Sequence, residues 1–163
     1  MYKAAVRWLI KRNIKRANSG DFSSTMKMFA DEATLSFPGD NTWSNMIRPT
    51  HLGREAVVTH RGKDELRLFL QRYVDEKMHM VVEDILVNGP PWNTRVAIRV
   101  HHWVIGADGT DIYTNRAVLF VSTRWGKIIS QEDYEDTEWI ASYDRAIAGT
   151  IFPRLDLNYF GNH

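Results

Sequence analysis

Gly126-Lys127-Ile128-Ile129-Ser130-Gln131-Glu132-Asp133-Tyr134-Glu135-Asp136 is the stretch whose reading decides the fold. Gly126-Lys127 turns the chain out of one strand, and the residues after it alternate with the period of two that a strand imposes. One face carries Ile128, Ser130, Glu132, Tyr134 and Asp136; the other carries Ile129, Gln131, Asp133 and Glu135. Both faces turn polar toward the strand's end. A strand that only filled a core would carry Val or Ile there. Carboxylates in line along a half-buried strand therefore point to a functional role.

Three further strands lead into this one. Met78 to Val87 ends at the turn Asn88-Gly89-Pro90-Pro91. Thr94 to Ile105 places Val96, Ile98, Val100, His102 and Val104 on one face, and Gly106-Ala107-Asp108-Gly109 makes a hairpin. Asp111 to Thr123 is apolar on both faces in its second half, as a central strand should be. Helices dominate the first half of the chain. From Ala4 to Ser19, the residues Val6, Leu9, Ile10, Ile14 and Ala17 form one apolar stripe, ended by Ser19-Gly20. Asp21 caps a short second helix with Phe22, Met26 and Phe29 facing inward. Ala33 to Phe37 reads as a strand closed by Pro38-Gly39. Asp40 to Arg61 has no sustained periodicity, which marks a lid or a poorly legible strand. Gly62 to Glu76 is amphipathic, with Leu66, Phe69, Leu70, Tyr73 and Val74 on one side. A last helix spans Glu138 to Ile147. Helices followed by antiparallel strands predict an α+β fold: one curved sheet with helices on its concave face.

The composition narrows the function. A chain of 163 residues, 44% hydrophobic and 25% charged, is expected to form one domain with a real core. The lack of cysteine excludes disulfides, thiolate zinc sites and cysteine nucleophiles. It also fits a reducing compartment. No apolar run approaches the ~20 residues of a membrane span, and no signal-peptide core opens the chain. The expectation is a cytoplasmic protein. A net charge of +1 gives no global pull toward nucleic acid. Lys3, Arg7, Lys11, Arg12, Lys15 and Arg16 read as a solvated helix face, because no aromatic platform accompanies them. Neither nucleic acid nor a membrane is expected as a partner. No His/Asp/Glu cluster has metal-ligand spacing, and no phosphate loop or nucleophile elbow is present, so no metal or cofactor is expected.

Asn18-Ser19-Gly20-Asp21-Phe22, followed by Met28-Phe29-Ala30-Asp31-Glu32-Ala33-Thr34-Leu35, resembles the N-terminal signature of the NTF2-like superfamily. Gly62-Lys63-Asp64-Glu65-Leu66, and Gly126-Lys127-Ile128-Ile129 before Tyr134-Glu135-Asp136-Thr137, are similar to SnoaL-like members. The likeness extends from Ala4 to Ile147. It implies an NTF2-like (cystatin-like) cone: a curved antiparallel sheet wrapped by three N-terminal helices and a C-terminal helix. One SnoaL-like domain would fill residues 1–163, with a core of 4–148. The tail 149–163 would pack over the pocket mouth or on a partner subunit. The resemblance further implies a deep apolar pocket for a small hydrophobic molecule, and a homodimer through the sheet's outer face. The family's best-known residues are only partly present. The ketosteroid isomerases' general-base aspartate falls at Phe37, their helical oxyanion tyrosine at Asn13 and their second oxyanion donor at Val118. Of limonene epoxide hydrolase's Arg-x-Asp, Arg116-Ala117-Val118 keeps only the arginine, while Asp136 matches the aspartate that ends the last strand.

A three-residue loop at Arg124 to Gly126 would set Arg116 opposite Tyr134 and Val118 opposite Glu132, with Asp136 one diagonal from Arg116. The inward face would then hold Arg116, Val118, Phe120, Glu132, Tyr134 and Asp136. In this reading Asp136 moves a proton or activates water, Arg116 orients it, Tyr134 donates a hydrogen bond and Glu132 completes the catalytic set. Phe37, Trp43, His60, Val100, His102, Val118 and Phe120 would line the substrate pocket. Each part has a plainer alternative. Asp136 is placed to cap the C-terminal helix, and Arg116 and Glu132 to form a structural ion pair. Two functions fit this pattern. One is a cofactor-independent enzyme (isomerase, cyclase, dehydratase or epoxide-hydrolase-like) using carboxylate acid–base chemistry on a small apolar cyclic substrate. The other is a non-catalytic small-molecule-binding or assembly module.

Overall fold

The computed structural model describes residues 1–38, 57–140 and 143. The elements run α1 (Tyr2–Asn18), α2 (Ser23–Met28), β1 (Phe29–Pro38), β2 (Val57–Arg61), α3 (Gly62–Asp75), β3 (Met78–Asn88), β4 (Thr94–Ile105), β5 (Asp111–Arg124) and β6 (Lys127–Glu135). Six strands form one sheet in the order β2-β1-β6-β5-β4-β3. All neighbours are antiparallel except β1 and β6, which run parallel and bring the N-terminal hairpin beside the last strand. β6 is therefore central, with β1 on one edge and β5 on the other. Its carboxylates sit in the middle of the sheet.

Local chemistry accounts for most boundaries. α1 ends where Gly20 takes the left-handed conformation at φ 86°, and its amide donates to Ala17 O at 2.9 Å. Asp21 Oδ1 accepts from Ser23 N at 3.0 Å and thereby starts α2. Val57–Arg61, at the end of the irregular stretch, is a strand, so part of that segment was a strand too short to show its period. Its remainder, with Trp43, lies outside the described residues, as does the tail 149–163. Thr137 to Ile140 and Tyr143 are helical, the described portion of the expected C-terminal helix.

The inner face of β4 is the one expected. Val96, Ile98, Val100, His102 and Val104 are all buried, and α1 and α3 cover this side of the sheet. β4 then dictates the facing of β5. Val96 pairs with Val121, Ile98 with Leu119, Val100 with Ala117 and His102 with Asn115, so the odd-numbered residues of β5 point inward. Arg116, Val118 and Phe120 point out. Two apolar clusters result. The larger holds Phe29, Leu35, Leu66, Val96, Val100 and Ile128; the smaller gathers Tyr73, Met78, Val104, Tyr113, Ile140 and Tyr143 at one end of the sheet.

Candidate active site

Between the inner face of the sheet and the helices lies a cavity of about 320 Å³, within the range of roughly 300–1,000 Å³ usual for small-molecule sites. Its helical wall is the apolar stripe of α1, Val6, Leu9, Ile10, Ile14 and Ala17, completed by Leu66, Phe69 and Tyr73 of α3. Its floor is the inward row of β4 and β5. The carboxylates enter along one line, the inner face of β6, which carries Gln131, Asp133 and Glu135, with His102 of β4 beyond them.

The turn and a bulge place that line. Trp125 and Gly126, at φ 51° and 78°, form a two-residue loop between paired Arg124 and Lys127, shorter than the expected three. Thr123 pairs with Ile128 but Ser122 with Ser130, so Ile129 is an extra residue. The bulge lets Ile128 and Gln131 both face inward, and Asp133 and Glu135 follow by alternation. Asp133 stands opposite Leu119, and Glu135 opposite Ala117.

Asp133 is 8% exposed, and its Oδ1 accepts a hydrogen bond of 2.9 Å from Gln131 Nε2. Burial pushes its carboxyl up to about 7, and the Gln131 bond only partly opposes this. At neutral pH it is therefore populated both as an acid and as a base. His102 is driven the other way, down to about 4, by burial and by the charge of neighbouring His101. Its Nε2 lies 3.6 Å from Glu135 Oε2. By distance alone that is an ion pair; with the imidazole neutral at pH 7, it is a carboxyl beside a polar ring. His102 Nε2 has no hydrogen-bond partner among the described residues. Asn115 Nδ2 donates to Tyr113 OH at 2.9 Å and to Asp136 O at 3.0 Å, fixing the end of β6 against β5. Asn13, also buried in the wall, is spent on local bonds: Nδ2 to Met28 Sδ at 2.6 Å and Oδ1 from Ser24 Oγ at 2.9 Å.

The residues expected in the pocket are dispersed. Phe37 and His102 line the cavity. Val100 is fully buried in the core, and His60, equally buried, packs edge-on to Phe37 at 6.1 Å and lies 3.7 Å from Glu65. Neither belongs to the cavity wall. Arg116 does not meet Asp136 inside the cone. Its side chain is 77% exposed on the outer face, 3.4 Å from Glu83, which also pairs with Arg99 at 3.1 Å. Val118, Phe120 and Tyr134 share that outer face, and the Tyr134 hydroxyl donates to Glu132 at 2.8 Å. Asp136 caps the C-terminal helix: its Oδ1 accepts from Glu138 N at 3.0 Å and Trp139 N at 3.2 Å. The expectation erred in the choice of face and in the register: Val118 rather than Arg116 stands opposite Tyr134, and Phe120 rather than Val118 opposite Glu132, because the loop is a residue shorter and a bulge follows it. Arg116, Glu132 and Tyr134 do share a side of the sheet, but the pairing with β4 turns that side outward. Asp133, Glu135 and Gln131 were the residues missed. The apolar face of β4 carries over to β5 through their pairing, but in β6 the two-residue turn and the bulge at Ile129, which the alternation does not announce, bring these three inward.

Among the described residues no group of three His, Asp or Glu side chains is placed to hold a metal ion. No helix among them is long and apolar enough to cross a membrane.

The fold recurs in solved structures of low sequence identity. TerC co-crystallised with polyporic acid superposes with a TM-score of 0.63 at 16% identity, covering 84% of this chain and 95% of that one. An NTF2-like protein of unknown function from Burkholderia pseudomallei gives 0.63 at 16% identity, covering 87% and 96%. A putative polyketide cyclase from Xanthomonas campestris gives 0.53 at 20% identity, covering 84% and 95%. No sequence among curated proteins matches. The family model of the SnoaL-like domain matches residues 10–131, from the cavity-lining stripe of α1 to Gln131 at the head of the polar line. With the α+β cone already evident in the sheet order and in the cavity between sheet and helices, the chain belongs to the SnoaL-like family of the NTF2-like superfamily.

Proposed function

We propose that this protein is a cofactor-independent enzyme that moves a proton on a small apolar carbonyl compound, with Asp133 as the general acid–base group. The observation that carries the reading is a carboxyl facing an apolar cavity and held near neutrality by its own burial. Abstraction of a proton next to a carbonyl, as isomerisation and cyclisation require, asks for a base of this strength in a water-poor site. Returning the proton to the product asks for the same group as an acid. Gln131 holds the carboxyl in place, and His102 Nε2 offers a neutral polar atom deeper in the cavity. Arg116 and Asp136 are left with structural work on the surface.

The test is hydrogen–deuterium exchange at the activated methylene of β-tetralone in heavy water, followed by NMR. Wild-type protein is expected to accelerate exchange above buffer, with a rate that rises as pH approaches 7 and then levels off, since the base is the ionised form. Asp133→Asn is expected to lower that rate by about a hundred-fold or more. Equal exchange by wild type and variant would remove the catalytic assignment. Binding of β-tetralone without exchange would favour the second reading, a non-catalytic binding module.

We further propose a homodimer through the outer face of the sheet. Val118, Phe120, Ile129 and Tyr134 lie exposed there on adjacent strands, a patch of the kind that marks interfaces.

A further inference from the structure

The cavity is long as well as deep. Along β4 its lining takes in Val96 and Ile98 and then His102, a span of six residues or about 20 Å at strand rise, with Ala117 of β5 lining the stretch beside buried Val100. Its wall follows α1 from Tyr2 to Ala17, about 22 Å at helix rise. The two ends differ. At one, the lining includes exposed Ala5 and Gly126 with half-buried Tyr2 and Thr25, so the cavity reaches the surface between α1, α2 and the β5–β6 turn. At the other, Tyr73, Met78 and His102 are buried, and Ile140 and Tyr143 pack behind them and close it. Asp133 stands partway along, opposite Leu119. From there the inward row continues through Val121 to Thr123 toward the open end, four residues or about 13 Å. In the outer half Val6, Val96, Val121 and Ile128 give long apolar walls broken by Gln131, Thr123 and Thr25, while His102 and Glu135 line the inner half.

We infer that the cavity is a channel for an extended aliphatic ketone, which enters carbonyl first and leaves its hydrocarbon arm lying from Asp133 to the opening at Gly126. This names a substrate class for the site proposed above and rests on that reading for the carbonyl. It differs from the cyclic substrate expected from the sequence. A compact ring system at Asp133 leaves the outer wall in contact with water, whereas an extended arm covers it along its length. Each added methylene therefore removes more apolar surface from water until the arm reaches the opening.

Methyl ketones with alkyl arms from propyl to dodecyl serve as probes, their binding to the intact protein measured by calorimetry beside β-tetralone. Affinity is expected to rise about four-fold per added methylene and to flatten around nonyl or decyl, where the arm reaches Gly126. Thr25→Trp, and independently Ala5→Trp from the other side of the opening, are expected to move the plateau to shorter arms. Affinity that ignores arm length, β-tetralone binding as tightly as the longest ketone, or a plateau that neither variant moves would overturn the channel. The measurement is of binding alone. A length-dependent series without exchange upholds the channel and removes the base, and exchange without length dependence does the reverse.

Discussion

At the scale of single residues, the site couples two groups whose protonation pulls the fold in opposite directions. Asp133 is raised from 3.8 to about 7 by burial, so its folded form holds the proton more tightly than the unfolded chain does. Its contribution to stability is full below about 4 and is lost as pH rises to 7, by up to about 4 kcal/mol. His102 is lowered from 6.5 to about 4, so its contribution is full above 6.5 and is lost as pH falls toward 4. Across that shared window the slopes oppose each other, and the wild-type protein should show a shallow dependence of stability on pH. Asp133→Asn removes one slope. The variant is expected to exceed wild type in urea denaturation at about pH 8 by a few kcal/mol, with the gap closing toward about pH 4. It also keeps the acid-side loss that His102 imposes. A variant no more stable than wild type at the higher pH would show that Asp133 is not held neutral by burial. Greater stability with less exchange would mark the carboxyl as kept for chemistry.

At the scale of elements, β6 and the helix after it divide the work that the sequence pattern assigns to one residue. Asp136 bonds the first free amides of that helix, and the neutral amide of asparagine does the same. Asp136→Ala is therefore expected to lower stability by about 1 kcal/mol, Asp136→Asn by much less, and neither to alter tetralone exchange. Loss of exchange in the asparagine variant would return Asp136 to the reaction. The same strand shows how a bulge decides which side chains reach the cavity. Without the extra residue at Ile129, alternation from Ile128 would send Asp133 outward. With it, one apolar residue and three polar ones face the cavity from a single strand.

At the scale of the whole molecule, the sheet has two unlike faces. The inner one makes the cavity; the outer one presents Val118, Phe120, Ile129 and Tyr134 among the ion pairs of Glu83 with Arg99 and Arg116. Sedimentation velocity is expected to find a dimer for the wild-type chain and a monomer for Phe120→Asp, which buries a charge at the centre of that patch. A wild-type chain that sediments as a monomer would remove the interface. Tetralone exchange by a monomeric variant would show that each cone is complete by itself.

By itself the sequence determined the elements with strong periods: the stripe of α1, the amphipathic α3, the alternating β4 and the order of helices before strands. These are local properties, set by side-chain spacing along one element. It also determined the family, through residues spread from Asn18 to Thr137. The tertiary structure alone decided which face of β5 and β6 turns inward. Both faces of those strands carry apolar and polar residues, so their own pattern cannot choose. The choice passes from β4 through backbone pairing and is then shifted by one bulged residue. That is why Arg116 and Asp136 ended at the surface and Asp133 inside. The strand Val57–Arg61 was hidden for a related reason, since five residues hold too few alternations to stand out from a loop.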